Sequence, residues 1–136
     1  MTKVLVVTYN EIRGFESGRH ETDEAIMYVD YHGRSKYTRI LNVAIDKADE
    51  DMQGFLEDLQ SIDKVYVYVG FANMYEPGRC LIDDLKSLGK EVFMVACDCD
   101  WNKKKIFARK LGVELIEIGC GGYRLYDQVI EMAASS

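Results

Sequence analysis

The run Gly119-Cys120-Gly121-Gly122 stands between an apolar segment and a helical pattern. Small residues at such a junction let backbone amides approach a phosphate at the positive end of a helix dipole. On that reading Gly121, Gly122 and the amide of Tyr123 cradle the phosphate. The competing reading is a tight turn, because the run is neither a Walker loop nor the dinucleotide fingerprint. Asp98 and Asp100 flank Cys99 in a second group. Hard carboxylate oxygens suit magnesium, usually with water and a substrate phosphate completing the shell. Glu11 offers a third carboxylate, while capping of the next helix by Asp100 or Asn102 is the plainer alternative. Residues 10–23 are polar and carry Glu11, Arg13, Glu16, Arg19 and His20. They present cations to an anion, Arg13 or Arg19 above all, and one imidazole that titrates near neutrality. Their alternative is a surface excursion. Asn73 and Trp101 are placed to touch a base or sugar, with Phe71 as a further aromatic.

These residues matter only if the fold brings them together. Residues 4–9, 65–69 and 92–97 are apolar without strict alternation, as strands buried on both faces are. Helical spacing follows in Met52, Phe55, Leu56 and Leu59, in Leu81, Leu85 and Leu88, in Ile106, Phe107 and Leu111, and in Leu125, Tyr126, Val129, Ile130 and Ala133. Asp46 suits a cap for the first helix, Pro77 suits a first helical position, and Gly89 and Gly112 suit left-handed helix ends. Residues 113–118, with Glu114 and Glu117, form a shorter strand nearer an edge. Alternating strands and helices predict a doubly wound, Rossmann-like α/β/α sandwich in three layers, with a mostly parallel sheet of about six strands. An antiparallel hairpin near the N-terminus is expected from residues 24–31 and 36–45 around the turn residues 32–35, which leaves His32 exposed. The whole chain, 1–136, reads as one domain. Ligands of such sheets bind beyond the carboxyl ends of the strands, where all the groups named above fall.

The chain has 136 residues, 17 Lys and Arg against 23 Asp and Glu, and a formal charge of −6. That field disfavours duplex nucleic acid and anionic membrane. No apolar run approaches the roughly 20 residues of a membrane span, and the N-terminus reads as a first strand rather than a leader, which implies a cytoplasmic protein. Lys103-Lys104-Lys105 reads as a solvated helix face. The four cysteines are expected to be free thiols in that compartment. A zinc site from Cys97, Cys99 and Cys120, with Cys80 or His20 added, has poor ligand spacing.

The carboxylate pattern, Glu11 after one strand and Asp98-Cys99-Asp100 after a later one, resembles the Toprim domain of primases and topoisomerases over residues 3–11 and 91–111. Ile12 stands where that family usually has glycine, and Trp101-Asn102 replaces a small residue. The resemblance implies magnesium-dependent phosphoryl transfer, a phosphodiesterase or nuclease using Asp98, Asp100 and Glu11, with His20 as acid or base. The primary expectation is a binding module for a nucleotide or another phosphorylated small molecule, with no certain cofactor beyond magnesium in the enzyme reading. A third reading is an interaction module whose hairpin pairs with a partner strand or a second copy, giving a homodimer.

Overall fold

The computed structural model describes residues 3–8, 18–29, 50–69, 75–97, 101–118 and 131. Within them six strands and three helices follow in the order β1 (Val4–Thr8), β2 (Gly18–Glu21), β3 (Ala25–Val29), α1 (Glu50–Ser61), β4 (Lys64–Tyr68), α2 (Tyr75–Ser87), β5 (Glu91–Cys97), α3 (Trp101–Leu111) and β6 (Glu114–Ile118). The strands form one sheet in the order β2-β3-β1-β4-β5-β6. All neighbours are parallel except β2 and β3, which are antiparallel. The protein is therefore an α/β fold with a mostly parallel sheet, and β6 lies at an edge as its two exposed glutamates predict.

Burial follows the strand alternation. Leu5, Val7, Ile26, Tyr28, Val65, Val67, Val69, Val92 and Met94 face one side and pack with Met52, Phe55 and Leu59 of α1, Leu81, Ile82 and Leu85 of α2, and Ala108 of α3. All three described helices thus cover the same face. The opposite face gathers Val4, Val6, Ala25, Met27, Val29, Tyr66 and Val95 into a second buried cluster, with Tyr66 stacked on Phe93 at 5.0 Å between ring centroids. Both faces of β1 and β3 are apolar because both are buried, which accounts for the unbroken apolar run that marks β1 in the sequence.

Helix ends follow the predicted chemistry at two places. Gly89 and Gly112 have φ of 79° and 69°. After α2 the Gly89 amide donates to Lys86 O and the Lys90 amide to Leu85 O; after α3 the Gly112 amide donates to Arg109 O and the Val113 amide to Ala108 O. This paired pattern satisfies the last carbonyls and needs a left-handed residue. Lysines from neighbouring elements complete the job: Lys86 Nζ donates to Leu111 O at 2.7 Å and Lys90 Nζ to Leu59 O. Each cation sits at the negative end of a helix.

Three expectations need correcting. Residues 10–23 are not one loop, because Gly18–Glu21 is a strand. β2 and β3 form an antiparallel hairpin, closed by Thr22, whose amide and hydroxyl donate to Ala25 O and whose Oγ1 accepts from the Ala25 amide. The expected turn at 32–35 and strand at 36–45 lie outside the described residues, as do the Asp46 cap and, Glu131 apart, the fourth helix. Pro77 is third in α2 rather than first, still within the turn whose amides have no intrahelical partner. Leu88 and Ile106 are 48% and 52% exposed and take no part in the core.

Candidate functional site

The sheet defines where a site belongs. From β1 the chain turns toward β3 on one side, and from β4 it passes through α2 to β5 on the other. In open α/β sheets ligands bind beyond the carboxyl ends of the strands where neighbouring connections part in this way. At these ends stand Thr8, fully buried at the end of β1 and in register with Val29 and Tyr68, and Val69, whose amide donates to Val95 O at 3.0 Å.

Gly78 brings α2 down onto these ends. A Cβ built on it would stand 2.8 Å from Val69 Cγ2, so only glycine lets the first turn of α2 lie this close to the end of β4. On the outer side of the same turn Arg79 is paired with Glu76 and, at 3.1 Å, with Asp83. Its guanidinium is matched within its own helix, and the hydrogen bond from Arg79 to Glu76 raises the pKa of the arginine further.

The lysine run on α3 departs from its expected solvated role. Asn102, Lys103 and Lys105 are exposed, but Lys104 is 1% exposed and ranks among the most buried large side chains. It shares the inward stripe of α3 with Ala108 and the half-buried Leu111, at four- and seven-residue spacing. Of the expected pattern Ile106, Phe107, Leu111, the last two pack against the core and Ile106 does not, while Lys104 is not part of that pattern. Position is the unusual part. Lys104 is fourth in α3, near the positive end of the helix, and the first turn contains no acidic residue. The helix dipole disfavours a cation there, and taking a charge out of water is costly in itself.

Arg19, His20 and Trp101 are the described members of the predicted site, and β2 sends the first two to opposite faces. Arg19 is in register with Tyr28, on the helix-bearing face, and His20 with Met27, on the other. The Arg19 guanidinium is taken up by carboxylates: Nε to Asp58 Oδ2 at 2.9 Å, Nη2 to Asp58 Oδ1 at 3.3 Å, and Nη2 to Glu21 Oε1 at 2.7 Å. Tyr28, whose ring meets Phe55 edge-on at 4.9 Å, donates its hydroxyl to Asp58 Oδ2, and Lys3 pairs with Glu21 at 2.6 Å. The bond to Asp58 raises the Arg19 pKa, burial and the same carboxylate push the Tyr28 phenol above its usual range, and Lys3 with Arg19 draws Glu21 down. Gly54, one turn before Asp58 on α1, leaves room for this cluster, since a Cβ there would lie 3.3 Å from Tyr28 Oη.

Trp101 is the first residue of α3. Glu11, Arg13, Asn73, Asp98, Asp100, Gly121, Gly122 and Tyr123 lie outside the described residues, as do Cys99 and Cys120. Cys97 ends β5, and Cys80 is a buried free thiol on α2. Among the described residues no group of three or more His, Cys, Asp and Glu is placed to hold a metal ion, and no helix is long and apolar enough to cross a membrane. No protein-family model matches the chain, and no relative among curated proteins does.

Proposed function

We propose that this protein is a binding module that holds a nucleotide or other phosphorylated small molecule at the carboxyl ends of its parallel strands. The fold in this reading is doubly wound, with a third layer over the face built on Val6, Met27 and Tyr66. The observation that carries the reading is the mostly parallel sheet, whose order sets the ends of β1 and β4 side by side at Thr8 and Tyr68. Arg13 takes the cationic role for which Arg13 and Arg19 are the sequence candidates, since Arg19 is held by Asp58 and Glu21. Gly121, Gly122 and the Tyr123 amide supply the phosphate cradle, and Asn73 or Trp101 meets the base or sugar.

A thermal-shift screen of phosphorylated ligands, with and without magnesium, tests the proposal. A ligand at about 100 times its dissociation constant adds about 2.7 kcal/mol. That corresponds to a rise in Tm of roughly 5 to 10 °C for a domain near this size. Gly121→Val is expected to abolish the rise. A panel in which no phosphorylated ligand moves the wild type, or in which Gly121→Val responds unchanged, refutes the proposal. A shift that requires magnesium together with turnover of a phosphodiester transfers the assignment to the carboxylates Asp98, Asp100 and Glu11.

A further inference from the structure

β2 differs in kind from the strand it borders. Its four residues, Gly18, Arg19, His20 and Glu21, place no side chain in either apolar cluster. β3, by contrast, is buried from end to end, with Ile26 and Tyr28 on one face and Ala25, Met27 and Val29 on the other. An apolar strand of core quality is therefore bordered by a wholly polar one, which pairs with nothing but β3 among the described residues. Besides the backbone ladder, ions fasten Arg19 and Glu21. Arg19 reaches across to Asp58 on α1, and Glu21 is held by Arg19 and by Lys3 ahead of β1. Arg19 and Glu21 are exposed, so these bonds compete with water and salt.

We infer that β2 is a detachable edge strand latched to α1 through the Arg19–Asp58 pair, and that its release frees the edge of β3 to pair with β3 of a second copy of the chain. The occupant follows from direction and chemistry. β2 runs antiparallel to β3, so the freed edge accepts an antiparallel strand, and a two-fold axis sets two copies of β3 antiparallel to each other. Each copy offers apolar side chains on both faces, so the joined sheet continues both buried clusters across the axis. A polar β2 in place is the guard that prevents this pairing.

Hydrogen exchange followed by mass spectrometry, with light scattering on the same samples, tests both halves. Arg19→Gln breaks the link to α1 while leaving the Tyr28–Asp58 bond intact, and Asp58→Asn weakens both. In the wild type, amides of residues 18–21 are expected to exchange faster than those of β1 and β4. Arg19→Gln is expected to speed exchange of residues 18–29 at least tenfold with β4 and β5 unchanged, and to double the mass relative to wild type as concentration rises. Exchange in β2 no faster than in β1 and β4 for both proteins overturns the latch. Faster exchange in a variant whose mass stays that of the wild type overturns the pairing.

Discussion

Replacing Gly78 by alanine is expected to destabilise the fold, although alanine is the better helix former. The new Cβ meets Val69 Cγ2 at 2.8 Å, where an unstrained carbon–carbon contact is about 3.5 to 4.0 Å. Roughly 1 Å must be found. Val69 is fully buried at the end of β4 and its amide is bonded to β5, so it has little freedom to move. Overpacking of this kind costs about 1 to 3 kcal/mol, against a propensity gain of at most about 1 kcal/mol. The net expectation is a loss of about 1 to 2 kcal/mol, measured as a lower urea midpoint with the m-value unchanged. Val69→Ala alone deletes two methyl groups and costs about 2 kcal/mol through lost transfer energy and a residual cavity. In the double variant the methyl group added at position 78 fills the space that the shortened side chain at position 69 vacates. The two changes should therefore couple favourably, by about 1 kcal/mol or more. Additivity within about 0.5 kcal/mol, or a Gly78→Ala variant more stable than wild type, refutes the claim that this contact seats α2 on the end of β4.

Further outcomes follow from the Tyr28–Asp58–Arg19 cluster and the helix ends. Asp58→Ala removes the acceptor of the Tyr28 hydroxyl as well as an Arg partner and should cost about 2 to 3 kcal/mol in chemical denaturation, whereas Tyr28→Phe leaves Asp58 its arginine and should cost about 1 kcal/mol; equal losses would place the energy elsewhere. The Tyr28 phenol is raised in the folded state above its ordinary 10.0, so above that pH the unfolded chain releases a proton that the folded one retains. Stability should therefore fall as pH rises past 10, less so in Tyr28→Phe, as followed by denaturation midpoints. Glu21, lowered below its ordinary 4.5, works in the opposite sense: its contribution is present above that pH and is lost as pH falls through the lowered value. Gly89→Ala forces an L side chain to φ of 79° and should cost about 1 kcal/mol, with Gly89→Asn costing less.

The parallel strands are legible because double-sided burial writes itself as unbroken apolar runs at residues 4–8, 65–69 and 92–96, and the ends of α2 and α3 because Gly89 and Gly112 follow the last turn. β2 is not legible. Gly-Arg-His-Glu has no apolar alternation, and its strand character comes from the ladder to β3 and from Arg19 reaching Asp58, a residue 39 positions away. A sequence window sees neither. Lys104 escapes for a related reason, since a lysine in a run of three looks solvated until the Ala108–Leu111 stripe fixes which of the three turns inward. The reverse holds for Arg19, whose charge suggests a ligand and which the fold gives to two carboxylates. The remaining candidates, Glu11, Arg13, Asn73, Asp98, Asp100, Gly121, Gly122 and Tyr123, lie outside the described residues.

The central claim is that ligand chemistry sits at the carboxyl edge of this sheet. Its most direct test is an amide NMR titration with ATP, with and without magnesium, and with inorganic pyrophosphate as a base-free probe. Saturable shifts are expected at Thr8, Val69, the first turn of α2 and residues 102–105, together with the amides of Gly121, Gly122 and Tyr123. Shifts gathered instead at the opposite edge, around Lys64, Gly89 and Glu91, or none at millimolar concentrations of either probe, contradict the claim.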